Sequence, residues 1–388
     1  MFSVTPVSTS VIEKQFYQLP YRIYKGDNNW IAPLKQDVKK VFDPKLNTFF
    51  SNGECQRWIA TNDQGETIGR IAAFIDKTTA FTEAQPTGGC GFFECIDNKE
   101  AAFLLFDTAA NWLKERGMQA MDGPINFGER NAWWGLLVEG FTPATYQMNY
   151  NPSYYQTLFE AYGFRDYFQQ YSYGLNITQK LPERYKPIVE RLKRSGDYTF
   201  RYAEKNNLRK YARDFSSVFN RAWQFLPNYH PMTEEQAWKI FKSFKPVMVD
   251  YLAWFGYYRQ EPIATFIMLP ELNGWFKHVN GNLNFWGLLK FLWIKTFDKS
   301  NRKVFGIVFG VVPEQQRKGV EAAIVLAADE VVRPSGRWDE IELTWIGDFN
   351  AKMIKTCESL GAQLVKRHIT YRKLFDANAA FKRHPLIE

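Results

Sequence analysis

"VFGVVPEQQRKGVEAAIVLAADEVV", residues 308–332, is the stretch that most constrains the fold. An apolar run stops at Pro313, a short basic loop with one glycine follows, and an apolar periodic segment begins at Val320. Apolar residues spaced i, i+3, i+4 and i+7 predict a helix that buries one face. The stretch therefore predicts a strand, a loop and a helix, and a helix N-terminus reached in this way binds anions such as phosphate.

One pattern of elements occurs twice along the chain. Residues 55–76 and 250–269 both read as two strands joined by a polar turn, at an offset of 195 positions. The offset grows to 216 between Phe93 and Phe309, and it returns to 198 near the ends of the two copies. Because the order of elements and the compensating offsets agree, we expect two copies of one unit, β–α–α–β–β–β–α–β–α–β.

The changes in offset locate one insert in each copy. The C-terminal copy gains residues at about 270–302, and the N-terminal copy gains residues at about 126–150. We expect an N-terminal unit over 1–177, a linker with a short helix over 178–197 and a C-terminal unit over 198–388. The predicted fold class is α/β, with an α+β mixed sheet in two tandem units.

Composition and charge indicate a folded, cytoplasmic protein. Of the 388 residues, 45% are hydrophobic and 17% aromatic, which favours sizeable cores and argues against disorder. The four cysteines and four histidines form no metal-ligand spacing, so we expect reduced thiols and no metal site. No signal peptide and no stretch long enough to span a bilayer are apparent. The net charge of +8, without a long basic block, suits an anionic ligand and argues against dedicated nucleic-acid binding.

The element order and the sequence QRKGVE, from Gln316 to Glu321, resemble the Gcn5-related N-acetyltransferase family, here in tandem. In that family the fourth strand splays from the fifth and the pantetheine of acyl-CoA lies in the gap. The pyrophosphate lies on a Q/R-x-x-G-x-G/A loop at the start of the next helix. The sequence matches this loop at Gln316 and Gly319. It departs at Glu321, where a carboxylate would either point away into solvent or repel the ligand.

The resemblance implies acetyl-CoA or another acyl-CoA as cosubstrate, without a metal. Asn350 matches the family asparagine at the start of the helix after the fifth strand. The cofactor-binding residues that the resemblance implies are Val311, Val312, Gln316, Arg317, Lys318, Gly319, Val320 and Asn350.

The N-terminal copy has lost most of the loop. Two residues separate Asp97 from Glu100, whereas seven separate Pro313 from Glu321, a difference of five. We therefore expect one cofactor site, in the C-terminal unit, and we expect Asp97 to cap its helix instead.

Acyl transfer to an amine needs a base, a polarised thioester carbonyl and an acid. The resemblance implies that backbone at Val311-Val312 holds the carbonyl and that a strand glutamate, here Glu342, is the base. Strand alternation puts Glu342, Thr344 and Ile346 on one face, where apolar neighbours would raise the pKa of Glu342. A solvent-facing or salt-bridged strand residue is the equally weighted alternative.

The tyrosine that serves as acid in the family is missing from both copies. Cys357 stands at its position in the C-terminal copy, and Phe159 stands there in the N-terminal copy. A thiol can protonate a leaving thiolate, but a buried structural cysteine is the alternative that the sequence favours.

The two inserts are candidates for the acceptor pocket. The first is rich in aromatic and polar residues, which fits either a ligand pocket or an inter-unit interface. The second mixes Trp and Phe with Lys277, Lys290 and Lys295, which fits a lid, a packed helix or, less favoured, a membrane-surface element. The predicted substrate-binding residues are Glu94, Asn126, Trp134, Tyr150 and Trp345.

The sequence thus predicts an acyl-CoA-dependent N-acyltransferase that acts on a small-molecule or peptide amine. Two alternatives remain: a catalytically silent binding protein of the same fold, and a transferase similar to the Fem aminoacyl transferases or bound to a membrane surface. The acceptor, the acyl length and the oligomeric state are left open by the sequence.

Overall fold

The computed structural model describes residues 1–82, 85–225 and 230–385. In these ranges the N-terminal copy contains, in order, β1 (Ser3–Pro6), α1 (Ser10–Ile23), α2 (Lys35–Val41), β2 (Gly53–Thr61), β3 (Thr67–Asp76), β4 (Thr87–Cys95), α3 (Lys99–Lys114), β5 (Ala120–Gly123), β6 (Leu136–Glu139), α4 (Tyr154–Tyr162) and β7 (Arg165–Asn176).

The linker helix α5 (Lys186–Ser195) precedes the C-terminal copy. That copy contains, in order, β8 (Tyr198–Tyr202), α6 (Leu208–Trp223), α7 (Glu234–Phe244), β9 (Ala253–Tyr258), β10 (Glu261–Pro270), α8 (Asn273–Phe276), α9 (Phe285–Phe297), β11 (Lys303–Val311), α10 (Val320–Val332), β12 (Glu340–Gly347), α11 (Ala351–Ser359) and β13 (Gln363–Leu374). Apart from the inserted β6, α8 and α9, both copies follow the predicted order, which is confirmed. The predicted short helix in the linker is α5.

All thirteen strands join one mixed sheet. Its order is β1-β2-β3-β4-β5-β13-β7-β12-β11-β10-β9-β8, and β6 pairs with β13 off this path. The order of the middle strands shows that the two copies exchange their last strands. β13, from the C-terminal copy, pairs with β5, and β7, from the N-terminal copy, pairs with β12. The boundaries drawn from the repeat at 177 and 198 remain a prediction about the sequence copies, because the sheet is continuous across them.

The helix after β4 begins one residue later than expected. Asn98 precedes the first helical residue and its Oδ1 accepts a hydrogen bond from the backbone N–H of Ala101 at 2.9 Å. The prediction that Asp97 caps this helix is therefore wrong, because Asn98 occupies the capping position. The loop between strand and helix has three residues here, 96–98, and eight in the C-terminal copy, 312–319. The difference of five matches the loss that the sequence predicts.

Each copy buries one long helix against the sheet. In the C-terminal copy Val320, Ala323, Ile324 and Ala328 of α10 are buried, which confirms the predicted apolar face of that helix. Among the described residues, no helix combines the length and the apolar character that crossing a membrane requires.

Candidate active site

A cleft opens between β11 and β12 in the C-terminal copy. The two strands pair in parallel from Lys303 and Glu340 as far as Gly306 and Leu343. The next four residues of β11, 307–310, are half-buried, while β12 continues along β7. The strands therefore separate toward their C-terminal ends, which is the separation that the resemblance implies.

The backbone N–H group of Val311, at the end of β11, faces this cleft. Val312 donates its N–H to the Ile263 carbonyl of β10 at 2.9 Å. Neighbouring residues of an antiparallel strand point their N–H and C=O groups to opposite sides, so those of Val311 face the cleft. The Val311 carbonyl accepts a hydrogen bond from Gln316 Nε2 at 3.0 Å. The N–H of Val311 is therefore the backbone group of this residue that can donate to a ligand in the cleft. The expectation that Val312 shares this role is wrong, because its N–H is used within the sheet.

The loop between β11 and α10 has a constrained backbone. Arg317 and Gly319 adopt left-handed conformations, with φ of 62° and 92°. α10 then begins at Val320, and no side chain caps its first turn. A Cβ on Gly319 would overlap the Ile188 side chain of α5. Gly319 is therefore required both by its φ angle and by the close approach of the linker helix.

A basic cavity of about 470 Å³ lies beside this loop. Arg317 and Lys318 of the loop line it together with Arg191 of α5 and with Lys352 and Lys355 of α11. The two lysines of α11 are three residues apart and so share one face of that helix. Five cations around one cavity favour a ligand that carries several negative charges.

Glu321, the residue that breaks the family pattern, lies at the same cavity. It is half-buried and lines the cavity wall, so it does not point away into solvent. One carboxylate against five cations leaves a net formal charge of +4 around the cavity. The site therefore still favours anions, although Glu321 weakens that preference.

Asn350 has a structural contact of its own. Its Oδ1 accepts a hydrogen bond from the backbone N–H of Met353 at 3.1 Å and thereby caps α11. Because Lys352 and Lys355 lie in the first turns of α11, Asn350 holds these two lysines at the cavity through the helix.

Glu342 is an ion-paired residue of the sheet interior. It is 1% exposed, and its carboxylate accepts from Lys366 Nζ at 2.7 Å and from Lys303. Burial pushes the pKa of Glu342 up, but the two ammonium groups outweigh it and hold the pKa below the ordinary value of 4.5. The expected rise in the pKa of Glu342 is therefore wrong, and the salt-bridged alternative describes the structure.

A bulge changes the faces of β12 after Thr344. Trp345 has a φ of 70°, and the pairing with β7 shifts between Leu343 and Ile346. Ile346 consequently joins the apolar core that contains Ile341 and Leu343. The predicted face of Glu342, Thr344 and Ile346 is wrong at its last member, because strict alternation fails at a bulge.

Cys357 lies in the same core. Its side chain is fully buried among apolar residues. Burial raises the pKa of the Cys357 thiol to about 12. Both facts favour the structural alternative over a role as proton donor.

The equivalent gap in the N-terminal copy is closed. β4 and β5 pair from Thr87 and Ala120 to Gly89 and Asp122. Just beyond, the N–H of Ile125 donates to the Cys90 carbonyl at 2.8 Å. A backbone segment thus occupies the space that remains open between β11 and β12.

Glu94 is held in a buried polar network beside the closed gap. Tyr24 and Tyr155 each donate a hydroxyl hydrogen bond to Glu94 Oε2 at 2.8 Å, and Arg70 lies 3.4 Å from Oε1. Burial raises the pKa of Glu94, and the guanidinium of Arg70 and both hydroxyls oppose that rise. Glu94 is 8% exposed as a residue, and both of its carboxylate oxygens have partners.

A cavity of about 90 Å³ lies against this network. Glu94 and Tyr150, two of the predicted substrate-binding residues, line it, and Tyr150 donates its hydroxyl to Asp27 at 2.7 Å. Asn126 and Trp134 are absent from its lining. Their Oδ1 and Nε1 atoms are buried without a hydrogen-bond partner among the described residues. The structure therefore brings only part of the predicted acceptor set together.

The N-terminal insert both lines the cavity and joins the two copies. Met148 lines the cavity and accepts the indole N–H of Trp345 from β12 at 3.0 Å. Tyr146 donates its backbone N–H to Glu271 at 2.8 Å, and Asn273 donates to the Ala144 carbonyl at 2.8 Å. Trp345 thus connects the bulge of β12 to the wall of the N-terminal cavity.

Solved structures share this arrangement across nearly the whole chain. The tandem GNAT protein from the clavulanic acid biosynthesis pathway superposes with a TM-score of 0.53 and 10% identity, over 98% of this chain and 100% of its own. The chain has the tandem GCN5-related N-acetyltransferase fold. A GCN5-related N-acetyltransferase from Sphaerobacter thermophilus gives a TM-score of 0.50 at 10% identity, over 99% and 98% of the two chains.

A third neighbour of this tandem GNAT fold is the glucosamine N-acetyltransferase region of a fungal multi-domain β-N-acetylglucosaminidase. It gives a TM-score of 0.55 at 13% identity over 96% of this chain, which spans 38% of that larger protein.

Two relatives are similar in sequence over most of their length. The bacterial ceramide synthase of Caulobacter vibrioides is 29% identical over 376 residues, 96% of this chain and 97% of its own. Protein YghO of Escherichia coli is 27% identical over 371 residues, 93% and 92% of the two chains. No protein-family model matches the sequence.

Sequence reasoning missed three of the five cations at the cavity, Arg191, Lys352 and Lys355. Arg191 lies in the segment treated as a linker. The two lysines carried a usable signal, because they are three residues apart on the helix after the fifth strand of a tandem GNAT fold. Lys366, the buried partner of Glu342, was also missed, since only strand pairing brings it there.

Proposed function

We propose that the protein is an acyl-CoA-dependent N-acyltransferase whose cosubstrate binds in the C-terminal copy. The observation that supports this most is the basic cavity beside the left-handed loop, where five cations meet the first turn of α10. Coenzyme A carries a diphosphate and a 3′-phosphate, so it needs several cations at one end. The residues present fit that need, with Arg317 and Lys318 beside the helix terminus and Lys352 and Lys355 on α11.

The cleft between β11 and β12 begins where the loop starts. We assign the pantetheine arm to this cleft and the polarisation of the thioester carbonyl to the N–H of Val311. When bound, acyl-CoA supplies an activated acyl group. Glu342 is excluded from the role of base in this proposal, because its oxygens are engaged by Lys303 and Lys366.

The acceptor side of the proposal rests on the sequence relative. A ceramide is an amide of a long-chain amino alcohol, so the relative named bacterial ceramide synthase favours a long-chain amine as acceptor and a fatty acyl-CoA as donor. The contact between Trp345 and Met148 supports an acceptor path from the cleft toward the N-terminal cavity, which aromatic residues line in part.

A second function is favoured by a specific observation. The two residues expected to carry protons are unsuited to it, since Glu342 is ion-paired and Cys357 is buried in the core. A protein that binds acyl-CoA without transferring the acyl group would have the same cavity and no need of either side chain.

Calorimetric titration with coenzyme A and palmitoyl-CoA tests the binding step. We expect the double variant Lys352→Glu/Lys355→Glu to weaken binding at least about tenfold, since each change replaces attraction to phosphate by repulsion. Lys45→Glu, an exposed lysine of the N-terminal copy, is the charge-matched control and should bind like wild type. Equal affinity of the double variant and this control would contradict the proposed site.

Mass spectrometry of reactions with sphinganine and palmitoyl-CoA tests the transfer step. An N-acyl product formed by wild type and lost in the double variant supports the transferase. Binding of palmitoyl-CoA without an amide product from long-chain or short amines favours the silent binding protein.

A further inference from the structure

The helix α9, in the C-terminal insert, exposes an apolar face. Trp286 is 75% exposed and Trp293 is 64% exposed. Seven of the fifteen large hydrophobic side chains that are exposed among the described residues lie on this one helix of 13 residues. They are Phe285, Trp286, Leu288, Leu289, Leu292, Trp293 and Phe297. A patch of this kind marks an interaction surface.

The opposite side of α9 packs against the protein. Phe291 and Ile294 are buried in a cluster with Trp275 and Phe276. Asn284 precedes the first residue of the helix and caps it, since its side chain accepts from the Gly287 N–H at 3.0 Å. Since the buried side and the N-terminus of the helix have their partners, the exposed face is presented by a fixed scaffold.

The charged side chains within segment 272–297, which contains α9, are all basic. No Asp or Glu occurs in the 26 residues 272–297, between Glu271 and Asp298. At about 100° per residue, Lys290 and Lys295 fall at the two borders of the exposed apolar stripe. Lys290 is exposed and Lys295 is partly so. An apolar stripe with tryptophans and bordering lysines is the pattern of a helix that lies in a membrane interface.

We propose that the exposed face of α9 docks the protein onto the surface of an anionic phospholipid bilayer. The apolar stripe enters the interface, and the exposed Lys290 reaches the headgroup phosphates with its flexible stem. Lys295, at the other border, donates to the Pro246 carbonyl and adds positive charge beside the stripe. The helix lies in the plane of the surface, because 13 residues fall short of the roughly 20 that span the hydrocarbon core.

Charge favours a bilayer over a second copy of the chain. A symmetric pair would place the same patch of each copy face to face. The lysines at the borders of the stripe would then approach one another, and segment 272–297 supplies no carboxylate to compensate them. Anionic lipid headgroups compensate those charges, and acyl chains bury the tryptophans.

The docked face lies close to the N-terminal cavity. Leu34 lines that cavity and also belongs to the apolar cluster under α9, and Asn273 of α8 lines the cavity as well. A bilayer on α9 would therefore lie near a cavity that both copies help to form. The docking itself does not depend on the proposed acyl transfer.

Vesicle flotation tests the docking with the full chain. We expect wild type to float with vesicles of phosphatidylcholine and phosphatidylglycerol, and to float less with phosphatidylcholine alone. Leu289→Glu should lower the partition coefficient about tenfold or more, because it places a carboxylate in the apolar stripe. Leu46→Glu, at an exposed leucine of the N-terminal copy, is the matched control and should float like wild type.

Fluorescence quenching by brominated lipids tests which face is buried. Trp286→Phe/Trp293→Phe keeps the apolar stripe, so it should still float while losing most of the quenching. Failure of wild type to float, or equal flotation of Leu289→Glu and Leu46→Glu, would overturn the proposal. A wild-type dimer that Leu289→Glu converts to a monomer, without vesicle binding by either, would show that the face pairs two copies instead.

Discussion

Removing the carboxylate of Glu342 separates a structural role from a catalytic one. Glu342 and Lys366 are 1% and 3% exposed at their side chains and lie 2.7 Å apart. Glu342→Leu leaves the ammonium of Lys366 buried without its partner. Breaking a buried ion pair in this way costs about 3–5 kcal/mol of unfolding free energy. The loss of Glu342 costs less free energy at Lys303, because Lys303 is partly exposed and its Nζ lies 3.3 Å from a Glu340 carboxylate oxygen.

The double variant Glu342→Leu/Lys366→Met carries the sharper test. It removes both buried charges and fills their volume with apolar atoms, which is often neutral for stability. We therefore expect it to recover most of the loss, with a coupling free energy of about 2–4 kcal/mol between the two positions. Lys303→Met alone should cost less than Glu342→Leu, since it leaves the Lys366 pair intact.

Urea unfolding followed by circular dichroism measures these free energies. The pH dependence of the unfolding free energy gives a second test of the ion pair. Because the folded pKa of Glu342 is lowered from 4.5, its stabilisation is present above pH 4.5 and is lost as the pH falls through the folded value. The double variant should lack this loss. A Glu342→Leu variant with wild-type stability and no turnover would refute the ion-pair reasoning and restore Glu342 as a base.

Three further changes test individual contacts. Glu321→Gln should tighten coenzyme A binding about two- to fivefold in calorimetry, because it removes the one carboxylate that lines the basic cavity; an unchanged or weaker affinity would contradict its placement. Gly319→Ala should lower the unfolding free energy by more than the control Gly336→Ala. Both glycines have positive φ, which costs alanine about 1–2 kcal/mol, but only at Gly319 would the new Cβ overlap a neighbour. Asn98→Ala should cost about 0.5–2 kcal/mol as the loss of a helix cap, whereas Asp97→Ala should leave the urea midpoint unchanged.

Local pattern was sufficient to predict the elements that the two copies share. The spacing of apolar residues predicted the buried face of α10. Comparison of the two copies predicted the five-residue difference between their strand-to-helix loops. Patterns of this kind succeed since they depend on residues close together in the chain, where helix and strand periods are fixed by backbone geometry.

Non-local contacts account for what the sequence left unpredicted. The prediction that side chains of β12 alternate strictly between two faces was wrong, because a bulge at Trp345 moves Ile346 into the core. A bulge has no characteristic residue type from which the sequence could predict it. The sequence predicted a raised pKa for Glu342 because it did not show the partner Lys366, which lies on β13, 24 positions later in the chain. Arg191 was missed because the segment that reads as a linker forms α5, which packs against the loop between β11 and α10.

The exchange of last strands shows the same limit at a larger scale, and the side chains explain why it is specific. Arg372 of β13 makes two hydrogen bonds to Asp122 of β5, at 2.6 and 2.9 Å, and Tyr371 is buried in the N-terminal core. Tyr173 of β7 is buried in the C-terminal core instead. Each core is thus completed by residues that the repeat assigns to the other copy. Because β7 pairs with β12, a strand of the copy that has lost its own loop supports one side of the cleft between β11 and β12. The N-terminal copy therefore contributes to the candidate site through the sheet, although its own gap is closed.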